Sequence, residues 1–134
     1  AEVEELIEGL ADPLMVSICR GRGFDRYIVK FEDGEPLCSE GEQSYYAFLL
    51  LRGTVRVSRG GEEIALLSRE GTFLGEVATL AGLERTASMT AVGTVWACVL
   101  NAAELERFVT STPAIGLRVI RDMARRLSRI PGDI

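Results

Sequence analysis

Glu76 and Arg85 are the two residues whose types and spacing favour binding chemistry in this sequence. They stand at opposite ends of a short segment that is predicted to interrupt two strands with a helical turn and a half from Glu76 to Ala81. Gly75 permits a sharp backbone turn before this helix, and Gly82 is typical of the residue that ends one. Amides in the first turn of a helix lack partners within it and favour an anion.

The side chains of Glu76 and Arg85 offer complementary polar groups. A guanidinium presents a planar pair of donors to a phosphate, and a carboxylate accepts from a sugar hydroxyl. A carboxylate repels a lone phosphate, so the pair favours a ligand with both a hydroxyl and a phosphate. We expect Arg85 to face water before ligand binds. A simpler alternative stays open, in which Glu76 is an acid favoured by the helix dipole and Arg85 is its surface salt-bridge partner.

The composition excludes several classes of function. The chain has 134 residues, a net charge of −5 and no histidine. Without histidine there is no Ser-His-Asp or Cys-His catalytic arrangement and no histidine-based zinc or iron site, so we expect neither an enzyme nor a metal protein. Catalysis by carboxylates alone stays open. The acidic charge argues against sequence-independent binding of nucleic acid, where basic surface supplies most of the affinity.

The sequence is also typical of a cytoplasmic protein. No apolar run approaches the roughly 20 residues that a membrane span needs, and the acidic N-terminus is unlike a signal peptide. The three cysteines, Cys19, Cys38 and Cys98, are widely spaced and contain no CxxC pair. An odd number of scattered cysteines predicts buried thiols in a reducing compartment.

Short β-rich segments between glycines predict that residues 27–99 form an all-β sandwich or a closed barrel. Thr54–Ser58 shows the clearest alternation, with Val55 and Val57 on one face. The candidate strands are Tyr27–Phe31, Pro36–Ser39, Tyr46–Leu51, Thr54–Ser58, Glu63–Leu67, Thr86–Ala91 and Thr94–Val99.

Residues 1–24 form a predicted helical segment before the strands. Apolar side chains recur at helical spacing from Ala1 to Leu10, and the apolar run Leu14–Cys19 that follows is either helix or strand. Acidic residues crowd this start of the chain and arginines crowd its end. We expect two solvated helix faces that lie near each other.

Residues 101–130 form two predicted helices after the strands. The first is capped by Asn101 and reaches Phe108, and the second starts at Pro113 and reaches about Ile130. We expect the second helix to bury one apolar seam. Its members are Gly116, Ile120, Met123, Leu127 and Ile130.

The segment around Glu76 resembles the phosphate-binding cassette of the cyclic-nucleotide-binding family, which includes catabolite-activator-type regulators and regulatory subunits of protein kinase A. That cassette reads approximately F-G-E-x-A-L, a short spacer and P-R-[ST/A]-A. This chain has L-G-E-V-A-T-L at 74–80 and E-R-T-A at 84–87. The resemblance covers roughly residues 27–130. Its other similar stretches are 31–35, 39–42, 48–57 and 113–127.

This resemblance implies an eight-stranded jelly-roll β-barrel, or double-stranded β-helix, with an N-terminal helix and C-terminal helices. Residues 1–134 would then be a single cyclic-nucleotide-binding domain with its cassette at 73–88. It implies that Glu76 accepts from the ribose 2′-OH and that Arg85 binds the exocyclic phosphate oxygens. The other implied ligand-binding residues are Gly75, Val77, Ala78, Thr86 and Ala87, and the implied pocket wall is Phe73 and Leu74.

The implied function is a regulatory sensor that binds cyclic AMP or cyclic GMP, uses no other cofactor and relays occupancy through its C-terminal helices. The implied partner is an effector domain or protein. From the short apolar seam of the last helix we also expect at most weak pairing with a second copy through residues 112–130. The chain departs from the family at Glu84, where proline is expected, and near Ile130, where no polar group reaches the base. Two alternatives stay open: a degenerate barrel that serves as a protein-interaction module, and the sensor half of a transcription regulator without its DNA-binding domain.

Overall fold

The computed structural model describes residues 2–21 and 23–127, in which helices flank and interrupt a set of strands. The helices are α1 (Glu2–Glu8), α2 (Pro13–Cys19), a 3-10 helix (Phe24–Tyr27), α3 (Glu76–Ala81), α4 (Ala102–Ser111) and α5 (Pro113–Leu127). The strands are β1 (Ile28–Phe31), β2 (Pro36–Cys38), β3 (Tyr46–Arg59), β4 (Glu62–Leu67), β5 (Phe73–Leu74) and β6 (Ser88–Asn101). None of the helices in these two ranges is both long and apolar enough to cross a membrane.

The strands form one antiparallel sheet in which β1, β6, β3 and β4 are neighbours in that order. Strand β2 also pairs with β6, and β5 pairs with β3. The prediction of a mainly β domain with flanking helices is confirmed. The prediction of eight strands in a closed barrel is not confirmed. Residues 2–21 and 23–127 form six strands, and their hydrogen-bonded path runs from β1 to β4 without joining its ends.

Glycines inside two long strands account for part of this difference. The strands predicted on either side of Gly53 are continuous as β3, and those on either side of Gly93 are continuous as β6. The register between β3 and β6 shifts on both sides of Arg52. Gly53 has a φ of 109°, and a Cβ on it would lie 2.5 Å from the Thr94 carbonyl oxygen, so glycine lets the two strands approach. The glycine bends the strand without ending it.

Alternate residues of β3, β5 and β6 fill two apolar clusters. The helix-side cluster takes Leu49 and Leu51 from β3 and packs them with α1, α2, α4 and α5. The strand-side cluster takes Phe48 and Leu50 from β3 and is built from strand residues alone. Because successive side chains of a strand point to opposite faces, one strand serves both clusters. Each fully buried leucine contributes about 1.5–3 kcal/mol to folding.

Both C-terminal helices begin where the sequence predicts. Asn101 and Glu104 form a capping box: Glu104 N donates to Asn101 Oδ1 at 2.8 Å, and Asn101 N donates to Glu104 Oε1 at 2.9 Å. Pro113 is the first residue of α5, as predicted. Helix α4 extends to Ser111, beyond the predicted Phe108.

The buried face of α5 differs from the predicted seam. Ile115 and Val119 are buried in the helix-side cluster, with Met123 packed partly against it, whereas Ile120 is 64% exposed. Gly116 is buried where an added Cβ would lie 3.1 Å from a carbonyl oxygen of α4. Successive residues of a helix are turned by about 100°, so a buried face centred on 115, 119 and 123 leaves Ile120 at its edge, open to solvent. Ile130 and the side chain of Leu127, the other seam members, lie outside the described part of the chain.

The acidic start of the chain contacts α5 at Asp12. Residues 14–19 are helical, which resolves the helix-or-strand alternative, and Asp12 caps that helix by accepting from Leu14 N at 2.9 Å. Its other carboxylate oxygen accepts from Arg118 Nη2, also at 2.9 Å. The Glu70 carboxylate accepts from the Asp12 amide at 2.6 Å. The expected proximity of the acidic start to the basic end is therefore confirmed at this ion pair.

Candidate ligand-binding site

The short helix predicted within the candidate segment is present as α3, with the predicted bounds. Gly75 precedes it with a φ of 73° and Gly82 follows it with a φ of 69°, and glycine adopts this left-handed conformation without strain. Thr79 N donates to Gly75 O at 3.1 Å and makes the first bond within the helix. The amides of residues 76–78 precede that bond and point out of the helix start.

Arg85 is buried, so the expectation that it faces water is wrong. The residue is 5% exposed. Its Nη1 donates to Gly75 O at 3.0 Å, and its Nη2 donates to Tyr46 O and, at 3.4 Å, to Thr79 Oγ1. Its Cζ lies 5.8 Å from the centroid of the Phe48 ring. Neutral oxygen acceptors therefore hold the guanidinium against the backbone between α3 and β3.

The backbone of Arg85 is fixed by the loop that precedes β3. Arg85 N donates to Glu42 O at 2.8 Å, and Gly41 N donates to Arg85 O at 2.9 Å. Gln43 and Glu84 form an isolated antiparallel bridge beside these bonds. The loop therefore sets the position from which the side chain reaches Gly75.

Glu76 is the second buried charge of the segment, with 1% of the residue exposed. It follows Gly75, whose carbonyl oxygen accepts from Arg85. Exposed ion pairs contribute about 0–1 kcal/mol, but buried charges need polar partners to offset their desolvation. The burial of both residues contradicts the alternative of a surface salt bridge between them, whereas Glu76 does stand in the first turn of α3, where the helix dipole favours an acid.

The other predicted ligand-binding residues follow the same path of the backbone. Thr86 is exposed, and its carbonyl oxygen accepts from Arg59 Nε at 3.0 Å. Ala87 is half-buried, and its carbonyl oxygen accepts from Cys38 Sγ at 3.9 Å. Burial raises the pKa of the Cys38 thiol, while the charge of Arg85 acts in the opposite direction. In α3 lie Val77, of which only the backbone is described, and the half-buried Ala78.

The two predicted pocket-wall residues are on different faces of the sheet. Leu74 belongs to the strand-side cluster with Phe48, the ring next to Arg85. Phe73 belongs to the helix-side cluster. Neighbouring residues of β5 must diverge because side chains alternate along a strand. The structure therefore brings Leu74 to the Arg85 side of the sheet and does not bring Phe73 there.

Three residues that contact Arg85 were not predicted from the sequence: Thr79, Phe48 and Tyr46. Thr79 stands three residues after Glu76, and that spacing places the two on neighbouring positions of a helix surface. Phe48 has no sequence signal apart from its place in an apolar strand. Tyr46 contributes its carbonyl oxygen, a group that every residue carries, so no residue type could have indicated it.

A separate groove of about 740 Å³ lies between residues 69–72 and α5. Its charged lining includes Asp12, Glu70, Arg118 and Arg121. Neither Glu76 nor Arg85 lines it. The charged groove is therefore separate from the candidate site at Glu76 and Arg85.

The family model described as the cyclic nucleotide-binding domain matches residues 28–112, more than half of the chain. The chain belongs to the cyclic nucleotide-binding domain family. Domains of this family are regulatory sensors. The matched range begins at β1, ends just after α4 and contains the whole of the cassette at 73–88. Helix α5 lies beyond it.

Known relatives of this cyclic nucleotide-binding domain include regulators from distant organisms. The CRP-like cAMP-activated global transcriptional regulator of Mycobacterium tuberculosis is 27% identical over 110 residues, which cover 79% of this chain and 49% of the relative. The cAMP-dependent protein kinase regulatory subunit of Debaryomyces hansenii is 28% identical over 92 residues, which cover 69% of this chain and 20% of the relative. The chain thus spans half or less of the length of these curated relatives.

A solved structure supports the same fold. The crystal structure of the Thermus thermophilus catabolite activator protein superposes with a TM-score of 0.68 at 28% identity. The superposition covers 92% of this chain and 58% of that chain. It therefore includes helices outside the 28–112 match as well as the sheet.

Proposed function

We propose that this domain binds cyclic AMP or cyclic GMP through Arg85 and Glu76. The observation that carries the proposal is the burial of both charged side chains on one short segment of the matched range. A cyclic mononucleotide carries an anionic phosphate and a ribose 2′-hydroxyl, which suit a guanidinium and a carboxylate respectively. The names of the M. tuberculosis and D. hansenii relatives, which refer to cAMP, support the same class of ligand.

Arg85 is the proposed ligand of the phosphate. In the structure its guanidinium donates to the carbonyl oxygens of Gly75 and Tyr46. Hydrogen bonds to an ionised acceptor are roughly twice as strong as bonds between neutral groups. Binding therefore exchanges neutral acceptors for phosphate oxygens, at the cost of the bonds that hold Arg85 in place beforehand. The remaining groups proposed at the phosphate are the amides of residues 76–78, the amide of Ala87 and the Thr86 hydroxyl.

The ligand class is tested by calorimetric titration with cyclic AMP, cyclic GMP and their linear 5′-monophosphates. One or both cyclic nucleotides should bind, and the linear forms should bind more weakly because their phosphate carries extra negative charge beside Glu76. Absence of binding by both cyclic nucleotides would favour the alternative of a degenerate barrel that serves as a protein-interaction module. The titration also decides between adenine and guanine.

A 2′-deoxy cyclic nucleotide is expected to bind about ten- to a hundred-fold more weakly than its parent. A hydrogen bond from the ribose 2′-OH to the Glu76 carboxylate is worth about 1.5–3 kcal/mol, and 1.4 kcal/mol is a factor of ten in affinity. In Glu76→Ala the preference for the 2′-OH should largely disappear. Calorimetric titration of the unmodified protein and of Glu76→Ala, each with the parent and the 2′-deoxy nucleotide, measures the coupling between the Glu76 carboxylate and the 2′-OH.

The matched control for this measurement is Glu84→Ala. Glu84 is an exposed acid of the same segment and has no proposed contact with the ribose. This variant should keep the full preference for the 2′-OH. Equal affinity of the unmodified protein for both sugars would contradict the role assigned to Glu76.

Binding of the nucleotide at the cassette is proposed to change the position of the C-terminal helices. Helix α3 packs against α4, and α4 packs against α5. Phe108 of α4 and Ile115 of α5 both contact the helix-side cluster. A ligand shifts a conformational equilibrium only by its differential affinity for the two states. Contact of the nucleotide with α3 is therefore the step that biases the position of α4.

Saturating cyclic nucleotide is expected to slow amide hydrogen exchange in residues 101–127. The physical reason is that a ligand bound at α3 stabilises its contact with α4 and lowers the local opening of both C-terminal helices. Strand β4 is an internal control. It forms the edge of the sheet opposite β1, and its exchange rates should not change. Unchanged protection of 101–127 under proven saturation would contradict the relay.

The proposal extends to the partners of the domain. An attached effector is proposed because the chain spans half or less of the curated relatives, and the sensor part of a transcription regulator is one such arrangement. We also propose a cytoplasmic location and weak self-association through residues 112–130. Leu117 and Ile120 of α5 are 46% and 64% exposed and supply apolar surface for that contact. Sedimentation over a range of concentrations tests it.

A further inference from the structure

Two of the three cysteines of the chain meet inside the helix-side cluster, away from Glu76 and Arg85. Cys19 is the last residue of α2, and Cys98 lies in β6 between Ile28 of β1 and Leu49 of β3. Their side chains lie close enough to influence each other's ionisation across the boundary between helix and sheet. Both cysteines are free thiols. The fold therefore holds a pair of thiols that are 79 positions apart in the sequence.

Cys19 also lines a groove that opens to solvent. The groove has a volume of about 400 Å³ and runs between α1 and the turn that follows α2. Its lining residues are Val3, Glu4, Ile7, Cys19, Arg20, Gly21 and Asp25. Cys19 is 3% exposed and Cys98 is 0% exposed, so a small reagent in the groove reaches Cys19 first.

The two thiols differ in acidity in a way that suits an attacking and a resolving cysteine. The interaction with Cys98 lowers the pKa of Cys19, in spite of the opposing effect of burial. The same interaction, together with burial, raises the pKa of Cys98 well above its usual range. Cys19, which lines the groove, is therefore placed as the attacking cysteine, and the fully buried Cys98 is placed behind it as the resolving one. Thiolates, not thiols, are the nucleophiles.

We propose that Cys19 and Cys98 form a hydroperoxide-sensitive dithiol that closes into an intramolecular disulfide. In the first step the Cys19 thiolate attacks one oxygen of the hydroperoxide. An S–O bond forms, the O–O bond breaks, and the other oxygen leaves as water or an alcohol after taking a proton from solvent. Cys98 sulfur then attacks Cys19 sulfur, and an S–S bond forms as the hydroxyl group leaves with the Cys98 proton as water. Two electrons pass from the sulfurs to the peroxide.

Closure of this disulfide fastens the end of α2 to the sheet. Helix α2 shares the helix-side cluster with α4 and α5, so the crosslink fixes one wall of the cluster on which the C-terminal helices pack. The proposal does not depend on which ligand the cassette binds. Cys38 provides an internal control, because it lies in the strand-side cluster and burial raises its pKa.

The test is treatment of the folded 134-residue chain with hydrogen peroxide, followed by alkylation under denaturing conditions and mass spectrometry. We expect the intact protein to lose the mass of two hydrogen atoms and the three thiols to fall to one. Peptide mapping should locate the bond at Cys19–Cys98 and the alkylated thiol at Cys38. Oxidation of Cys38 at the same rate, or a reduced Cys19 after prolonged treatment, would overturn the proposal.

Single substitutions separate the two roles. In Cys98→Ala the peroxide should leave Cys19 as a sulfenic acid that dimedone traps, with no disulfide formed. In Cys19→Ala the buried Cys98 should stay reduced over the same time. If dimedone labels Cys98 in Cys19→Ala as fast as it labels Cys19 in Cys98→Ala, the assigned order of attack is wrong. Should either variant fail to fold, the peptide map of the unsubstituted chain decides the proposal by itself.

Discussion

Replacement of Arg85 by leucine is expected to weaken the binding of cyclic AMP or cyclic GMP by about 2–5 kcal/mol, the cost of removing one partner of a buried charge pair. At 1.4 kcal/mol per factor of ten, this is a loss of roughly 30-fold to a few thousand-fold in affinity. The same substitution should lower the free energy of unfolding of the ligand-free protein by about 1–3 kcal/mol, because carbonyl oxygens that accept from Arg85 lose their donor. Calorimetric titration and denaturant unfolding measure the two effects.

Two control variants divide this effect into its parts. Arg85→Lys keeps the positive charge but loses the planar fork, so its affinity should lie between those of the unmodified protein and Arg85→Leu. Arg59→Leu removes a neighbouring arginine whose Nε donates to Thr86 O, and it should change affinity much less. Full affinity in Arg85→Leu would show that Arg85 is not the phosphate ligand.

Gly75→Ala is expected to be the most damaging substitution of a single small residue in the cassette. The φ of 73° at this position costs an L-residue about 1–2 kcal/mol. The new Cβ would also clash with Arg85 Nη1, so the guanidinium must leave the Gly75 carbonyl oxygen, a bond worth about 0.5–1.5 kcal/mol. We expect the free energy of unfolding to fall by about 1.5–3.5 kcal/mol and affinity for cyclic nucleotide to fall about tenfold or more.

Gly82→Ala isolates the contact with Arg85 from the strain in the backbone. Gly82 ends the same helix with a φ of 69°, yet an added Cβ there meets no atom within 4 Å. Both variants carry a similar backbone penalty, and only Gly75→Ala displaces Arg85. Equal losses of affinity in the two variants would mean that the contact between Gly75 and Arg85 does not contribute to the site.

Local features of the chain were largely predictable from the sequence because local chemistry determines them. The bounds of α3 follow from two glycines in the left-handed conformation, and the start of α4 follows from the side chains of Asn101 and Glu104. A prolyl residue suits the first position of a helix, and Pro113 holds it in α5. In each case the deciding interactions lie within a few residues of one another.

Features that depend on distant parts of the chain were not predictable in the same way. Gly53 has the residue type of a turn, but the close approach of Thr94 from another strand makes it a bend within β3. Ile120 has the residue type of a core position, but the contact of α5 with α4 turns it outward. The burial of Arg85 depends on carbonyl oxygens of Gly75 and Tyr46, which no residue type encodes.

The alternation of β3 between the two apolar clusters has a practical consequence for sensor engineering. Ala47, Leu49 and Leu51 face the helices, whereas Phe48 and Leu50 face the side on which Arg85 lies. A library that varies only the second pair would alter the strand-side cluster beside Arg85 and leave the helix-facing side chains unchanged. One that varies only the first set would alter the packing beneath the C-terminal helices and leave the Arg85 side of the sheet unchanged. In the proposed sensor, ligand choice and response would therefore be tuned separately on a single stretch of five residues.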